Sequence, residues 1–409
     1  MNEKARKRYT APLSLLGQYS SFLSAFNIIQ VCLTWYVFSV TKSALDVGLV
    51  AIVETVTVMA VSLPTGAYVD RLNKGVILVV AGLSGLVVSL LLILIGKLPE
   101  IQLLPVLILV SVWGASREFG RSASLSAIPE LVEDRSLSHF NGINRASSSA
   151  FGAISNAVAG GLIAAFGVTS GFLAGSGLYA LSAVFAILGI VPVLKAGTRN
   201  VVKKGSMIRE IREAFVWLYM RRGLFLLTIS ATFFNFFLIM IEAYLVVFVY
   251  SGLRSSSLIF GGLLGAFSFG DVSGSIFSSR TKLLKYTGKI NVILFGGVPG
   301  LCILLAGIFH SPLVSLFLFF LWGFCIGTAI NLWLTTAHNL VPREMRGKYF
   351  ALDGLLSSIS PASIAVGALL ISYLGIIETF LVAGSMLMIF ALLFSFSHSL
   401  WSLSGERAS

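Results

Sequence analysis

The 409-residue chain is a succession of apolar runs, each long enough to cross a bilayer and parted from the next by a short polar turn. A spanning helix needs about 20 apolar residues. Such runs recur near 13–40, 46–67, 75–97, 103–126, 141–165, 168–192, 223–251, 257–279, 290–309, 313–338, 349–373 and 378–401. Lipid offers no water to a free N–H or C=O, so only helices or a closed barrel can span it. The runs are continuous rather than alternating, which selects helices. Hydrophobic residues make up 56% of the chain and charged residues 11%. A soluble domain carries about 25% charged residues, and one of this composition would aggregate through its apolar surface. The expected fold class is an all-α membrane protein with twelve transmembrane helices. The 40 glycines suit helices that approach closely in lipid. The first run is too long for a signal-peptide core and has no clear cleavage site, so no cleavable leader is expected. Cys32, Cys302 and Cys325 all fall inside apolar runs and read as small buried hydrophobes, not as a disulfide framework.

An even number of spans puts both termini on one side. Of the 29 Lys and Arg residues, all but Lys42, Lys97, Arg254, Arg117 and Arg121 fall on that side. The positive-inside rule makes this side cytoplasmic, so a multi-pass protein of the cell (cytoplasmic) membrane with cytoplasmic termini is expected. The net charge of +12 is thus a signal of topology. A nucleic-acid partner would need a basic soluble face, and none is present. The one sizeable extramembrane segment, 194–222, divides six spans (1–193) from six spans (223–409). Its part 206–219 reads as an amphipathic helix on the membrane surface.

The two halves are weakly alike. Val132–Gly167 and Val341–Gly375 both end in small residues and a glycine, and aligning Gly167 with Gly375 sets Arg145 opposite Asp353. Parallel six-helix repeats are a feature of secondary transporters.

Between the second and third runs lies a compact charged turn, Gly66-Ala67-Tyr68-Val69-Asp70-Arg71-Leu72-Asn73-Lys74. With twelve spans and a basic central loop, it resembles the major facilitator superfamily over nearly the whole chain. That family's turn reads Gly-x-x-x-Asp-Arg-x-Gly-Arg-Arg/Lys. Gly66, Asp70 and Arg71 match; Asn73 stands for the second glycine, Lys74 for the first closing base, and Gly75 replaces the second base. Asparagine tolerates the left-handed backbone, so Asn73 is expected to adopt it. Ile128-Pro129-Glu130-Leu131-Val132, Asn141-Gly142 and Gly160-Gly161 are similar to the drug-efflux branch that includes macrolide and siderophore exporters. The second half carries Val341-Pro342-Arg343-Glu344-Met345-Arg346-Gly347 at the matching place. The antiporter motif Gly-x-x-x-Gly-Pro-x-x-Gly-Gly is met by Gly152, Gly160 and Gly161, with Asn156-Ala157 in place of Gly-Pro. The resemblance implies two pseudo-symmetric six-helix bundles working by alternating access. It also implies a gating role for Gly66, Asp70, Arg71 and Lys74. Arg145 with Asp271, and Asp353 with the turn at Arg71, are expected to meet at the seam between halves; Asp353 reads equally as an acid at a helix N-terminus.

Charges inside the membrane are costly and mark function by default. Glu54 and Glu242 have no partner three or four residues away on their own helices. They are the expected proton-coupling carboxylates, unless a basic residue or a hydrogen bond from another helix holds them. Arg117 and Arg121 share a helix face, and Glu118 stands three residues before Arg121. An arginine in span four recurs in the family that the chain resembles, where it supports the charged turn and proton coupling; the resemblance implies that role for Arg117, the deeper, with Glu118 beside it, whereas Arg121 also reads as a snorkelling residue. Asn27, Gln30, Trp35, Asn156, Asn235, Asn331 and Trp333 lie at mid-span depth as candidate substrate contacts, or as packing residues. Mostly apolar walls with few polar points suit an amphipathic organic molecule.

Other classes lack their signatures. His139, His310, His338 and His398 are scattered without metal spacing, and no phosphate-cradling glycine loop is present. No enzyme, cofactor or metal site is expected. The expected partners are a small-molecule substrate, protons and membrane lipid, with the chain acting as a monomer. The reading is a proton-coupled exporter of hydrophobic compounds; an importer, uncoupled facilitator or lipid transporter of the same fold shares the same sequence features.

Overall fold

A computed structural model of the chain describes residues 3–96, 102–132, 136–194, 207–279 and 283–406. Among the described residues, twelve helices are long and apolar enough to cross a membrane. The spans, numbered in chain order, begin with Glu3–Thr41, Ala44–Arg71, Lys74–Ile95, Leu103–Leu131, Leu137–Phe166 and Val168–Ile190. They continue with Arg222–Ala243, Ser257–Ser279, Leu283–Phe309, Pro312–Leu340, Arg343–Leu374 and Ile376–Ser395. Large apolar side chains such as Leu313, Phe317, Tyr373 and Phe396 stand exposed, as they do where lipid is the solvent.

All twelve expected runs are helical, and the differences lie at ends and breaks. The first span continues ten residues beyond its apolar run, to Glu3, because a helix persists through good helix formers that hydropathy excludes. The seventh span stops at Tyr244 and resumes through Leu245–Val247 and a π turn, Phe248–Gly252. The ninth contains a π segment, Val292–Gly297, just before Pro299, whose missing N–H removes an i→i−4 bond. The eleventh breaks between Ser357 and Ser360, with Pro361 opening its second part. The helix expected over 206–219 is present as Met207–Tyr219. It packs against Arg343–Ser357, where Lys348 Nζ meets Glu213 Oε2 at 2.5 Å.

Close contacts divide the chain into two compact units: residues 1–201 with 256–265, and residues 202–255 with 266–409. Within unit 1 the first span packs on the fifth and sixth, the third on the sixth, and the second on the fourth. Within unit 2 the seventh packs on the eleventh and twelfth, and the ninth on the twelfth. The same pairings thus recur six spans later. Gly167 and Gly375, the pair aligned from sequence, share one backbone conformation, φ 80° and ψ 172° against φ 98° and ψ 168°. Only glycine adopts this region without strain, so each lets one span end and the next begin without an intervening loop.

The eighth and tenth spans of unit 2 meet backbone to backbone. Gly270 and Gly274 face the carbonyls of Phe320 and Phe324, and Gly323 and Gly327 face those of Phe267 and Asp271. Any Cβ at these four positions would collide with a carbonyl oxygen. Thr328 Oγ1 donates to Gly274 O at 3.1 Å and Asn331 Nδ2 to Ser278 Oγ at 2.8 Å, fastening the same seam. Overpacking of this kind costs about 1–3 kcal/mol or more. Gly274→Val and Gly327→Val should therefore each lower the unfolding temperature of the purified protein. Gly347→Ala, where a Cβ meets nothing within 4 Å, should not. A Gly327→Val variant that melts with wild type would contradict the seam.

Candidate functional site

Unit 1 brings three of the expected residues together, Glu54 with Arg117 and Gln30. Glu54, on the second span, is buried, and its Oε1 accepts from Arg117 Nη1 of the fourth span at 3.2 Å. The Gln30 side chain of the first span lies beside it. The Arg117 guanidinium lies 4.2 Å from the centroid of the Phe26 ring, a favourable cation–π placement. Phe26 stacks on Trp113 at 4.3 Å, and Trp113 Nε1 donates to the Tyr179 hydroxyl at 2.7 Å. The first, second, fourth and sixth spans thus converge on a single ion pair. The pair is uneven: the Glu54 side chain is 9% exposed and that of Arg117 is 40% exposed. Sequence alone left the partner of Glu54 open, because the pairing joins residues 63 apart. One turn further along, Arg121 binds Glu118 through both carboxylate oxygens, at 3.0 and 2.7 Å, as their spacing implied.

The charged turn is built differently from expectation at Asn73. Its backbone is extended, φ −67° and ψ 114°, not left-handed. It caps the third span instead, accepting from Gly75 N at 2.8 Å through Oδ1, a role suited to its short polar side chain. Its Nδ2 donates to Leu194 O at 2.7 Å, tying the turn to the end of the sixth span. Lys74 is buried and reaches Glu130 Oε1 at 2.5 Å. The sequence shows Glu130 only within the Ile128–Val132 motif and gives it no partner; the signal that finds its role is Lys74 itself, a buried cation that demands an anion. Gly75 stands where the family has a base because the Val191 backbone passes there, 2.9 Å from where its Cβ would be. Arg71 closes the second span and is exposed. The surroundings of Gly66 and the side chain of Asp70 lie outside what the structure describes, as do Arg135, Arg280 and Lys282.

The eroded antiporter motif keeps one small face. In unit 1, Gly160 lies against Ser257 O and Gly261, Gly261 against Asn156 O, and Gly265 against Ala157. Asn156 therefore sits on a packing face between the fifth and eighth spans. Asn27 Nδ2 lies beside Gly152, and Trp35 stacks at 6.0 Å on Phe260. Arg145 is exposed on the fifth span.

Unit 2 brings another group together. Asn235, Trp333 and Asp353 line one cavity with Asn291, Phe295 and Ser357. Trp333 is flanked by Tyr349 and Phe350, at 6.4 and 6.2 Å. Asn331 donates to Ser278 Oγ in the helix seam. Asp271 stands on the eighth span beside Gly327. Glu242 is exposed, one residue before the end of the helical part of the seventh span. Among the described residues no group of three or more His, Cys, Asp or Glu is placed to hold a metal.

The model of the Major Facilitator Superfamily matches residues 15–365. Macrolide efflux protein A of Streptococcus pyogenes is 22% identical over 390 residues, covering 92% of this chain and 93% of that one. Among solved structures, a mutant of the nucleoside transporter NupG superposes with a TM-score of 0.75 at 12% identity, covering 95% of this chain and 100% of that one. A bacterial homologue of the human lysosomal transporter Spinster gives 0.69 at 13% identity, covering 98% and 99%. A POT family transporter with bound 5-aminolevulinic acid gives 0.71 at 14%, covering 93% and 94%. These structures share the fold, and the family match spans most of the chain: this multi-pass membrane protein is a transporter of the Major Facilitator Superfamily.

Proposed function

We propose that the transporter is a proton-coupled exporter of small amphipathic or hydrophobic organic compounds, working by alternating access. The observation that carries the reading is the Glu54–Arg117 pair. A carboxylate held deep among four spans by one arginine has two stable conditions. Ionised, it binds Arg117; protonated, it no longer compensates that charge, and Arg117 is released to the open side of the pair. A ligand shifts a conformational equilibrium only through a difference in its interaction with the two states, and a proton on Glu54 supplies such a difference. Gln30, touching the same carboxylate, is the substrate contact nearest the proton. Glu242, at the break in the seventh span, is the second proton-coupling carboxylate. The apolar walls and scarce polar points favour an amphipathic substrate, and the similarity to a protein described as a macrolide efflux protein points the same way.

The turn after the second span serves as the gate. Lys74–Glu130 and Asn73–Leu194 anchor it inside unit 1, leaving Asp70 and Arg71 at the helix end to make and break contacts as the state changes. With termini and basic loops cytoplasmic, this gate lies on the inner side.

In proteoliposomes with an imposed pH gradient, Glu54→Gln and Glu242→Gln should each abolish gradient-driven flux of a hydrophobic dye while leaving substrate exchange measurable. Wild-type flux that ignores the gradient sinks the coupling, and undiminished driven flux in both variants removes these residues from it. Asp70→Asn should slow exchange at least tenfold with substrate affinity kept; lost affinity with normal turnover would put Asp70 in binding rather than gating. Single cysteines at Lys285→Cys and Arg343→Cys should react with an impermeant maleimide only from the cytoplasmic face. Labelling from outside the cell overturns the orientation.

A further inference from the structure

The cavity inside unit 2 has a chemistry that Glu54 and Arg117 do not use. It measures about 150 Å³ and is formed by the seventh, ninth, tenth and eleventh spans. The Asp353 carboxylate makes no hydrogen bond or ion pair with any described residue. Nor do the side chains of Asn235 and Ser357, which line the same space. Asn291 donates through Nδ2 to Thr287 O at 3.1 Å, which leaves its Oδ1 as an acceptor. The remaining walls include the rings of Trp333 and Phe295.

Each class of occupant meets this lining differently. An anion is repelled by Asp353. A neutral group leaves the carboxylate uncompensated at membrane depth, where charges need partners. A hard metal ion wants a full shell of oxygens, and two aromatic walls offer none. An organic ammonium satisfies every element: its charge meets Asp353, its N–H groups meet the amide oxygens, and its carbon substituents lie against rings that attract cations. The volume is below the roughly 300–1,000 Å³ of a drug-sized pocket, so the cavity takes one end of a molecule and not the whole.

We propose that this cavity is a subsite for the protonated amine end of an amphipathic substrate, with Asp353 as counter-ion, Asn235 and Asn291 as acceptors and Trp333 as the aromatic wall. The inference rests on the reading of the chain as a transporter of amphipathic compounds, and it names their class as cationic amines. It reassigns Asp353 from a gating partner to a ligand-binding residue.

The test is equilibrium binding to the purified full chain in lipid nanodiscs, with no pH gradient. Its probes are a size-matched pair, phenethylammonium and neutral 2-phenylethanol. Wild type should bind the ammonium at least tenfold more tightly than the alcohol. Asp353→Asn should erase that preference and leave alcohol binding unchanged, and Asp353→Glu should keep part of it. Trp333→Leu, which leaves the carboxylate in place, should weaken ammonium binding several-fold at an unchanged unfolding temperature. Equal binding of the two probes by wild type, or a preference that survives Asp353→Asn, overturns the subsite. Because the measurement needs no coupling, lost amine preference alongside intact gradient-driven flux removes only this inference. Intact preference alongside flux that ignores the gradient removes only the coupling.

Discussion

Apolar side chains gain nothing by facing one another instead of lipid tails, so helices in a bilayer associate through close backbone packing and polar contacts. The whole structure follows from that constraint. The eighth and tenth spans meet at Gly270, Gly274, Gly323 and Gly327 because nothing larger lets carbonyls come so near. Polar contacts then fasten the spans pairwise: Ser176 to Ser89, Gln18 to Ser182, Trp113 to Tyr179 and Tyr244 to the backbone of Ile364. Each is worth on average about 0.6 kcal/mol in membrane proteins. The set therefore fixes which helix meets which and at what height, rather than supplying a large stability. Against this background, a charge inside the bundle demands explanation in a way that an apolar residue does not.

The spans were legible because hydropathy is a local signal. The breaks were less so. Pro299 and Pro361 carry a mechanism for theirs, since each removes an N–H. Tyr244 carries none, and the interruption of the seventh span depends on what packs around it. The site was legible in its residues but not in its pairings. Glu54, Arg117 and Gln30 stand out singly as polar groups in apolar runs, yet nothing in their spacing says that three different spans bring them together. Asn73 shows the opposite failure. Its residue type admits both a left-handed turn and a helix cap, and the neighbouring Gly75 N–H and Leu194 carbonyl decide for the cap.

The internal repeat conserves architecture while dividing the chemistry. Gly167 and Gly375 hold the same backbone, and span pairings recur in order. The second and fourth spans carry the Glu54–Arg117 pair. The corresponding eighth and tenth carry a glycine seam with Asp271 beside it. Unit 2 carries a further carboxylate on the eleventh span, at Asp353. A repeat with identical halves would place identical charges in both. Here one half holds an acid paired with an arginine, and the other an acid that has no ionic partner among the described residues.

The antiporter motif of the fifth span carries the same physical point furthest. The family pattern has Gly-Pro where this chain has Asn156-Ala157, which reads as erosion if the motif is a string of required residues. In the fold, the positions that matter are those facing the eighth span: Ala153, Asn156, Ala157 and Gly160 against Ser257, Gly261 and Gly265. Asn156 turns its backbone carbonyl to Gly261. Ala157 is small enough to meet Gly265, its Cβ lying 3.3 Å from where a Cβ on Gly265 would be. The seam is built of small surfaces with an interhelical hydrogen bond from Ser257 Oγ to Gly160 O at 3.3 Å. It does not need the helix distortion a proline brings. Loss of Gly-Pro therefore removes a kink and not the contact, and on its own it is no argument about the direction in which substrate moves.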